Sequence, residues 1–172
     1  MTLEPRRTAL VLIDLMPRIV ALETAPLPGP VVLERCVALA DATRSVGGLV
    51  VNVRVERPGT TVQPGGSGFA HEPQPGDLQI VKRSIGAFGR SVLDAELQAR
   101  DIDTVVLAGI ATNFGVESTG RAADDLGYET VYVADAMTGL DQAAHDFAVS
   151  SIFPRLGTVC TGTEYVAALS ST

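Results

Sequence analysis

Short apolar, β-branched segments recur along this chain, and three of them end at a charged residue. Six such segments predict strands, at residues 8–14, 49–55, 78–82, 103–108, 130–135 and 156–160. A continuous apolar run is typical of a strand that is buried on both faces of a parallel sheet. Helix-length segments separate most of these runs. The alternation predicts a three-layer, doubly wound α/β fold with a six-stranded, mostly parallel sheet.

Amphipathic segments between the strands predict the helices. Apolar or small residues fall at helical spacing in segments 31–47, 91–100, 116–126, 141–153 and 163–169. Ser91, Asp141 and either Thr161 or Thr163 are suitable N-caps. The segments therefore predict helices on both faces of the sheet.

Residues 57–76 break the alternation because they are rich in proline and glycine. Such a stretch cannot form a helix or a central strand, so it predicts a long surface loop. Loops of this length are either functional lids or disordered. We favour a lid, because the loop leads towards Lys82.

Composition limits the classes of protein to which the chain can belong. A length of 172 residues with 46% apolar composition predicts one domain over residues 1–172. A net charge of −7 without a basic cluster argues against a nucleic-acid partner. No apolar run approaches the roughly 20 residues that span a bilayer, and no signal-peptide pattern precedes the first strand, so we expect no membrane partner and a cytoplasmic location.

The candidate site residues follow the predicted strands, because ligands bind beyond the carboxyl ends of parallel strands. Asp14 ends the first strand, Lys82 ends the third, and residues 109–115 connect the fourth strand to a helix. Asp14 could equally be a structural ion pair, Lys82 alone could be solvated, and the turn could be an ordinary loop. No glycine-rich phosphate fingerprint follows the first strand, so a dinucleotide cofactor is not expected, and we predict no cofactor.

Three segments together resemble the isochorismatase-like hydrolases, also called cysteine hydrolases. They read ALVLID at 9–14, VKRSIGAF at 81–88 and VLAGIATNFGVEST at 106–119. The resemblance implies a Rossmann-like sheet of six parallel strands. It carries the aspartate and lysine of the family's catalytic triad to Asp14 and Lys82, whereas the cysteine position falls on Gly115. It also implies a non-proline cis peptide at Ile110–Ala111.

The glycine changes the chemistry that the resemblance implies, because it cannot supply a thiolate nucleophile. Cys36 and Cys160 are predicted to be small buried side chains. Isochorismatases proper resemble this chain in having glycine there, and they cleave a vinyl ether without a covalent adduct. We therefore expect a hydrolase of a small carboxylated molecule. Its substrate-binding and oxyanion residues are predicted to be Ile110, Ala111, Thr112, Asn113, Phe114 and Val116, with turn amides around Gly115 holding negative charge.

The role of Asp14 stays open at this point. In its protonated form it donates a proton to an enol-ether carbon, and in its ionised form it activates water, while Lys82 orients it and binds the substrate carboxylate. A neighbouring lysine favours the ionised form, whereas burial favours the protonated form. Two further alternatives are a non-catalytic, ligand-binding family member and a water-mediated amidohydrolase.

The remaining expectations concern metals and subunits. The segment VRVERP at 53–58 lacks the Asp-x-His pattern of the nicotinamidase branch, and His71 and His145 are expected to be incidental, so we predict no metal. The resemblance implies a homodimer or homotetramer. Phe69 and Phe153 are candidate subunit contacts.

Overall fold

The computed structural model describes residues 1–169 and contains a six-stranded parallel sheet. The strands are β1 (Thr8–Ile13), β2 (Leu49–Val55), β3 (Leu78–Lys82), β4 (Thr104–Ile110), β5 (Glu129–Thr138) and β6 (Thr158–Cys160). Their order is β3-β2-β1-β4-β5-β6, and every neighbouring pair is parallel. The predicted doubly wound α/β fold is confirmed.

Helices cover both faces of this sheet. They are α1 (Pro17–Val20), α2 (Gly29–Ser45), α3 (Leu93–Gln98), α4 (Glu117–Asp125), α5 (Gln142–Phe147), α6 (Phe153–Leu156) and α7 (Gly162–Leu169). π-Helical turns at Thr112–Val116 and Ala148–Ile152 lead into α4 and α6. The helix predicted over 141–153 is thus two helices, and it ends three residues later, at Leu156. No helix within residues 1–169 combines the length and apolar character needed to cross a membrane.

Helix caps follow the sequence signals at Asp141 and Thr161 but not at Ser91, because the N-cap of α3 is Val92, although the Ser91 hydroxyl accepts a hydrogen bond from the Leu93 N–H group at 3.2 Å. The carboxylate of Asp141 accepts a hydrogen bond from the Ala144 N–H group at 2.8 Å. Thr161 caps α7 in a reciprocal arrangement, because its N–H group donates to Glu164 at 2.8 Å while its hydroxyl accepts from the Glu164 N–H at 3.3 Å. These contacts fix where α5 and α7 begin.

Two apolar cores lie on opposite faces of the sheet. In β1, Leu10 and Leu12 face the core beneath α2 and α7, whereas Val11 and Ile13 face the core beneath α3, α4 and α6. All six residues of β1 are buried, as expected for a central parallel strand. The direction of the chain's winding changes at β1, so the crevice between the ends of β1 and β4 is the expected ligand site.

The predicted surface loop packs against the start of α1. The Arg18 N–H group donates to the Gly66 carbonyl at 3.3 Å, and the Ala70 N–H group donates to the Leu15 carbonyl at 2.8 Å. His71 is also attached to the sheet, through a hydrogen bond of 2.7 Å to Asn52 of β2. The loop is therefore hydrogen-bonded both to the segment that follows β1 and to β2.

The expected subunit contact at Phe153 is wrong. Phe153 is fully buried, and its ring stacks on Tyr132 with 4.1 Å between centroids. Both residues belong to the core beneath α4 and α6. Cys36 and Cys160 are free thiols and buried, as the sequence predicts.

Candidate active site

Asp14 and Lys82 form a buried ion pair at the carboxyl edge of the sheet. Asp14 follows β1 and Lys82 ends β3, so the lysine side chain reaches past β2 to meet the carboxylate. Lys82 Nζ lies 2.8 Å from Asp14 Oδ2. The lysine is 2% exposed and the aspartate 6%. Lys82 Nζ also donates to the Ile85 carbonyl, so its ammonium group is held on two sides.

The backbone at Asp14 aims its carboxylate into the crevice. Asp14 has a left-handed conformation, with φ of 51°, which aspartate tolerates better than most residues. Its N–H group donates to the Val53 carbonyl at 3.0 Å, and its carbonyl accepts from Met16 at 2.8 Å. Non-glycine residues in this conformation are concentrated at functional sites.

Burial raises the pKa of the Asp14 carboxyl group above its usual value. The charge and hydrogen bond of Lys82 act in the opposite direction, as does the charge of Arg18, but desolvation is the larger effect. Asp14 Oδ1 is buried and has no hydrogen-bond partner in the described part of the chain. Oδ1 is thus the carboxylate oxygen that Lys82 does not hold.

Gly115 faces this pair directly. A Cβ atom built on Gly115 would lie 3.3 Å from Lys82 Nζ and 3.4 Å from Asp14 Oδ2. The same atom would lie 2.8 Å from Cγ2 of Ile13, which is closer than real Cβ contacts allow. The absence of a side chain therefore leaves the space beside the carboxylate and the ammonium group open.

The turn that carries Gly115 runs from the end of β4 into α4. The Ile110–Ala111 peptide bond is cis, as the resemblance implies. The N–H groups of Phe114 and Val116 both donate to the Ala111 carbonyl, at 3.1 and 3.2 Å. Two of the turn amides that were expected to be free for an anion therefore already have an acceptor, contrary to the prediction.

A buried histidine supports this turn from behind. His145 of α5 is 6% exposed, and its Nδ1 lies 2.8 Å from the Thr112 hydroxyl. Desolvation lowers the pKa of His145, which favours the neutral ring. His145 is thus a structural partner of the turn rather than an incidental residue. Sequence reasoning missed it because 33 residues separate the two side chains.

A cavity of about 580 Å³ opens above the ion pair, within the range of small-molecule sites. Six of the predicted site residues line it, namely Asp14 and Lys82 of the ion pair together with Ile110, Ala111, Phe114 and Gly115. Thr112, Asn113 and Val116 do not line it. Val116 and Thr112 are fully buried.

The rest of the cavity wall comes from residues that the sequence did not single out. They are Arg18, Ile19 and Leu22 in or near α1; Val55 at the end of β2 and Glu56, Arg57 and Pro58 after it; Arg83, Ser84 and Ile85 after β3; and Leu140 after β5. The sequence marks none of them individually as a site residue, although Arg83, Ser84 and Ile85 lie in the segment 81–88 that carries the resemblance.

The second carboxylate of the wall, Glu56, is held by two arginines. Its side chain lies 2.9 Å from Arg54 and 2.6 Å from Arg83. The hydrogen bond from Arg54 is the main cause that lowers the pKa of Glu56. Glu56 is therefore ionised near neutral pH, in contrast to the shift at Asp14.

The acidic, histidine and cysteine side chains are dispersed over the described structure. Within residues 1–169, no group of three or more His, Cys, Asp or Glu side chains is arranged to hold a metal ion. The His71 ring contacts Asn52, and the His145 ring contacts Thr112.

A family model, a curated relative and a solved structure that are similar to this chain all carry the same family description. The isochorismatase domain model matches residues 8–164. The isochorismatase family protein YwoC of Bacillus subtilis is 38% identical over 180 residues, which cover 94% of this chain and 93% of the relative. The solved structure of an isochorismatase family protein from Burkholderia thailandensis has a TM-score of 0.89 and 38% identity, over 99% of this chain and 98% of that one.

A shorter similarity links the chain to enzymes with a stated activity. The ureidoacrylate amidohydrolase RutB of Stutzerimonas stutzeri is 42% identical over 99 residues, which are 55% of this chain and 39% of the relative. That partial match transfers no activity by itself. The domain match and the full-length relatives, together with the fold, show that this chain belongs to the isochorismatase family of hydrolases.

Proposed function

We propose that this chain hydrolyses a small carboxylated substrate of the vinyl-ether type by non-covalent acid/base catalysis. Asp14 is the proton donor, and Lys82 holds it in place. The observation that carries the proposal is the buried ion pair of 2.8 Å at the floor of the cavity, beside a residue without a side chain. Neither Cys36 nor Cys160 lines this cavity.

Gly115 occupies the position that the resemblance assigns to the nucleophilic cysteine of the thiol members. The distances of 3.3 and 3.4 Å from its built Cβ atom to Lys82 and Asp14 support this correspondence. A thiol at that position would lie within reach of both groups. Glycine instead leaves room for substrate or water next to Asp14.

The raised pKa of Asp14 favours the acid over the base role. In the first step the protonated carboxyl transfers its proton to the terminal carbon of the enol ether, and the electron pair of the C=C bond forms the new C–H bond. Positive charge then develops on the carbon that bears the ether oxygen. The ionised Asp14 stabilises it, and Lys82 holds Oδ2 throughout.

Water completes the reaction and restores the enzyme. It adds to the cationic carbon, and its proton returns to the Asp14 carboxylate. The hydroxyl proton of the resulting hemiketal then passes to the ether oxygen as the bond between that oxygen and the carbon breaks, so the ether oxygen leaves as an alcohol and the carbon becomes a ketone. The sum is hydrolysis, with one water consumed and no group left on the protein.

Kinetics with a panel of carboxylated enol ethers tests this proposal. Replacing Asp14→Asn is expected to lower kcat at least about 100-fold, because general acid catalysis contributes roughly 10²–10⁴. Asp125→Asn is the matched control, since Asp125 is exposed on α4 and away from the cavity. Unchanged turnover in the Asp14 variant would contradict the assignment.

A second candidate is amide hydrolysis by water that Asp14 activates. The partial similarity to ureidoacrylate amidohydrolases favours it. The raised pKa of Asp14 disfavours the ionised form that a base requires, and the Phe114 and Val116 amides are already engaged. Assays with amides and N-carbamoyl compounds distinguish the two. New amidase activity in Gly115→Cys would show that glycine alone had closed the thiol route.

The third possibility is a ligand-binding family member without turnover. Binding of carboxylated compounds to the wild type, with no hydrolysis of enol ethers, amides or N-carbamoyl compounds, would support it over both enzymatic proposals. Fold alone does not decide between them.

We also propose a homodimer or homotetramer. Four large apolar side chains at the cavity mouth support this: Leu22, Ile85, Phe114 and Leu140 are between 47% and 62% exposed. Light scattering coupled to size exclusion measures the mass, and a monomer at micromolar concentration would contradict the proposal.

A further inference from the structure

Arg18 presents an unpaired positive charge to the cavity. It lies on α1, four residues after Asp14, and forms part of the cavity wall. Its Nη2 lies 3.5 Å from the Val55 carbonyl, at the limit of a hydrogen bond. Its Nε is enclosed and has no acceptor. Among residues 1–169, no carboxylate forms an ion pair with this guanidinium group.

Both carboxylates of the wall are already engaged elsewhere. Asp14 is held by Lys82 at 2.8 Å, and Glu56 is held by Arg54 and Arg83. Asp14 Oδ1 has no partner among residues 1–169, yet it forms no ion pair with Arg18, and Glu56 could neutralise Arg18 only by breaking a short ion pair. A half-buried guanidinium group with unused donors gains most from an acceptor that enters the cavity.

The charge of the wall is opposite to that of the chain. Four cations line the cavity, namely Arg18, Arg57, Lys82 and Arg83, against the two carboxylates Asp14 and Glu56. The chain as a whole has a net charge of −7. A locally cationic cavity in an acidic protein attracts an anionic ligand.

Lys82 cannot serve as the anchor for such a ligand. Its ammonium group already contacts Asp14 and the Ile85 carbonyl, and the side chain is 2% exposed. Arg18, in contrast, is half-buried, its Nε–H group has no acceptor among residues 1–169, and its planar guanidinium group matches the geometry of a carboxylate.

We propose that Arg18 is the specificity-determining residue that binds the carboxylate of an anionic substrate, and that Lys82 acts only on Asp14. This inference rests on the proposed function for the substrate class but concerns binding rather than turnover. The predominantly apolar surroundings, such as Ile19, Val55 and Leu140, would contact the uncharged part of the ligand.

Titration calorimetry with benzoate and benzamide tests the proposal, because the two probes have the same shape and differ in charge. We expect benzoate to bind the wild type at least about tenfold more tightly than benzamide, as a charge-assisted hydrogen bond supplies that much. Arg18→Gln is expected to remove the preference by weakening benzoate alone. Arg18→Lys should retain part of it, since it keeps the charge and loses the planar donor pair.

The control variant is Arg155→Gln, which changes the net charge equally at an exposed position of α6 outside the cavity. It should retain the full preference. An equal preference in Arg18→Gln and the wild type would overturn the proposal, as would the absence of benzoate binding to the wild type.

A measurement on the wild-type protein tests the proposal even if the Arg18 variants do not fold. The Nε–H resonance of Arg18, assigned through its own backbone, should move downfield with benzoate and remain in place with benzamide. If neither benzoate nor benzamide changes the chemical shift of this resonance, the proposal would also be overturned.

The outcomes separate this inference from the proposed function. Asp14→Asn should retain the benzoate preference while losing turnover. A wild type that shows the Arg18-dependent preference but hydrolyses no enol ether would refute the reaction and leave the carboxylate anchor in place.

Discussion

Removing Lys82 should expose the energetic cost of burying Asp14. In Lys82→Met the side chain keeps a similar length, but Asp14 loses the one ion pair that it forms within residues 1–169, where Oδ1 has no partner either. Breaking a buried pair costs about 3–5 kcal/mol, since the remaining charge is uncompensated. For a urea dependence of about 2 kcal/mol per molar, the midpoint of unfolding falls by about 1.5–2.5 M.

The loss of stability should depend on pH with a defined sign. Without Lys82, burial raises the pKa of Asp14 further above that of the unfolded chain. Between the unfolded value, about 3.9, and the raised folded value, the native state binds a proton that the unfolded state has lost, so stability falls as pH rises. The slope is at most about 1.4 kcal/mol per pH unit for one proton. At lower pH both states are protonated, and the penalty is absent.

Urea titrations followed by far-UV circular dichroism at several pH values between 4 and 8 measure this effect. The control is Asp14→Asn combined with Lys82→Met, which has no charge to bury. It should be more stable than the single Lys82 variant at pH 8 and should lack the additional pH dependence. A single variant as stable as the wild type at pH 8, or one no less stable than the double variant, would refute the reasoning.

Two further predictions concern the core. Cys36 and Cys160 should react with an aromatic disulfide reagent much more slowly in the native protein than in urea. The reason is that burial raises the pKa of both thiols, that of Cys160 to about 11. Rapid reaction of either thiol in the native protein would contradict this prediction. Gly120→Ala should lower the free energy of unfolding by about 2 kcal/mol in denaturant titrations, because its Cβ would lie 2.2 Å from the Tyr132 hydroxyl. The control is Gly68→Ala, where nothing lies within 4 Å, and equal effects of the two would count against the steric argument.

The strands could be predicted because their apolar runs are continuous and β-branched. The bounds of β2 and β3 agree with the sequence prediction residue for residue. β5 was expected to end at Asp135, but it continues to Thr138. Asp135 is half-buried near the edge of the sheet and accepts a hydrogen bond from the Gly162 N–H at 2.7 Å, so a charged residue is tolerated within the strand.

The apolar face of α2 shows what periodicity alone leaves undetermined. Helical spacing alone predicts a buried face with Leu33, Cys36, Val37 and Ala40. The structure buries Cys36 and Ala40 but leaves Leu33 and Val37 half-buried, and it buries Val32 and Leu39 instead. Which of these side chains are buried depends on the rotation of α2 about its axis, and that rotation is set by packing against the sheet and α7, not by local spacing.

The site residues at the strand ends could be predicted from the sequence, whereas the contacts that depend on the packing of separate elements could not. Asp14 and Lys82 could be proposed because parallel strands bring their carboxyl ends to one edge. The contact between Thr112 and His145 could not, because it depends on how α5 packs behind the turn. Arg18 gave no signal either, since its importance lies in having no carboxylate partner, and that becomes visible only when its neighbours are known.

Arg18 also connects substrate binding to the acid role of Asp14. Its positive charge lowers the pKa of Asp14 in the unliganded cavity and so opposes the effect of burial. A carboxylate bound to Arg18 would neutralise that charge, bring a negative charge near Asp14 and exclude water, and each of these changes raises the pKa of a neighbouring carboxyl group. The substrate's own carboxylate would thus help to produce the protonated Asp14 that the first step consumes. A neutral substrate analogue should therefore have a lower kcat as well as a lower affinity. If Arg18 served binding alone, loss of the substrate's carboxylate would raise KM and leave kcat unchanged.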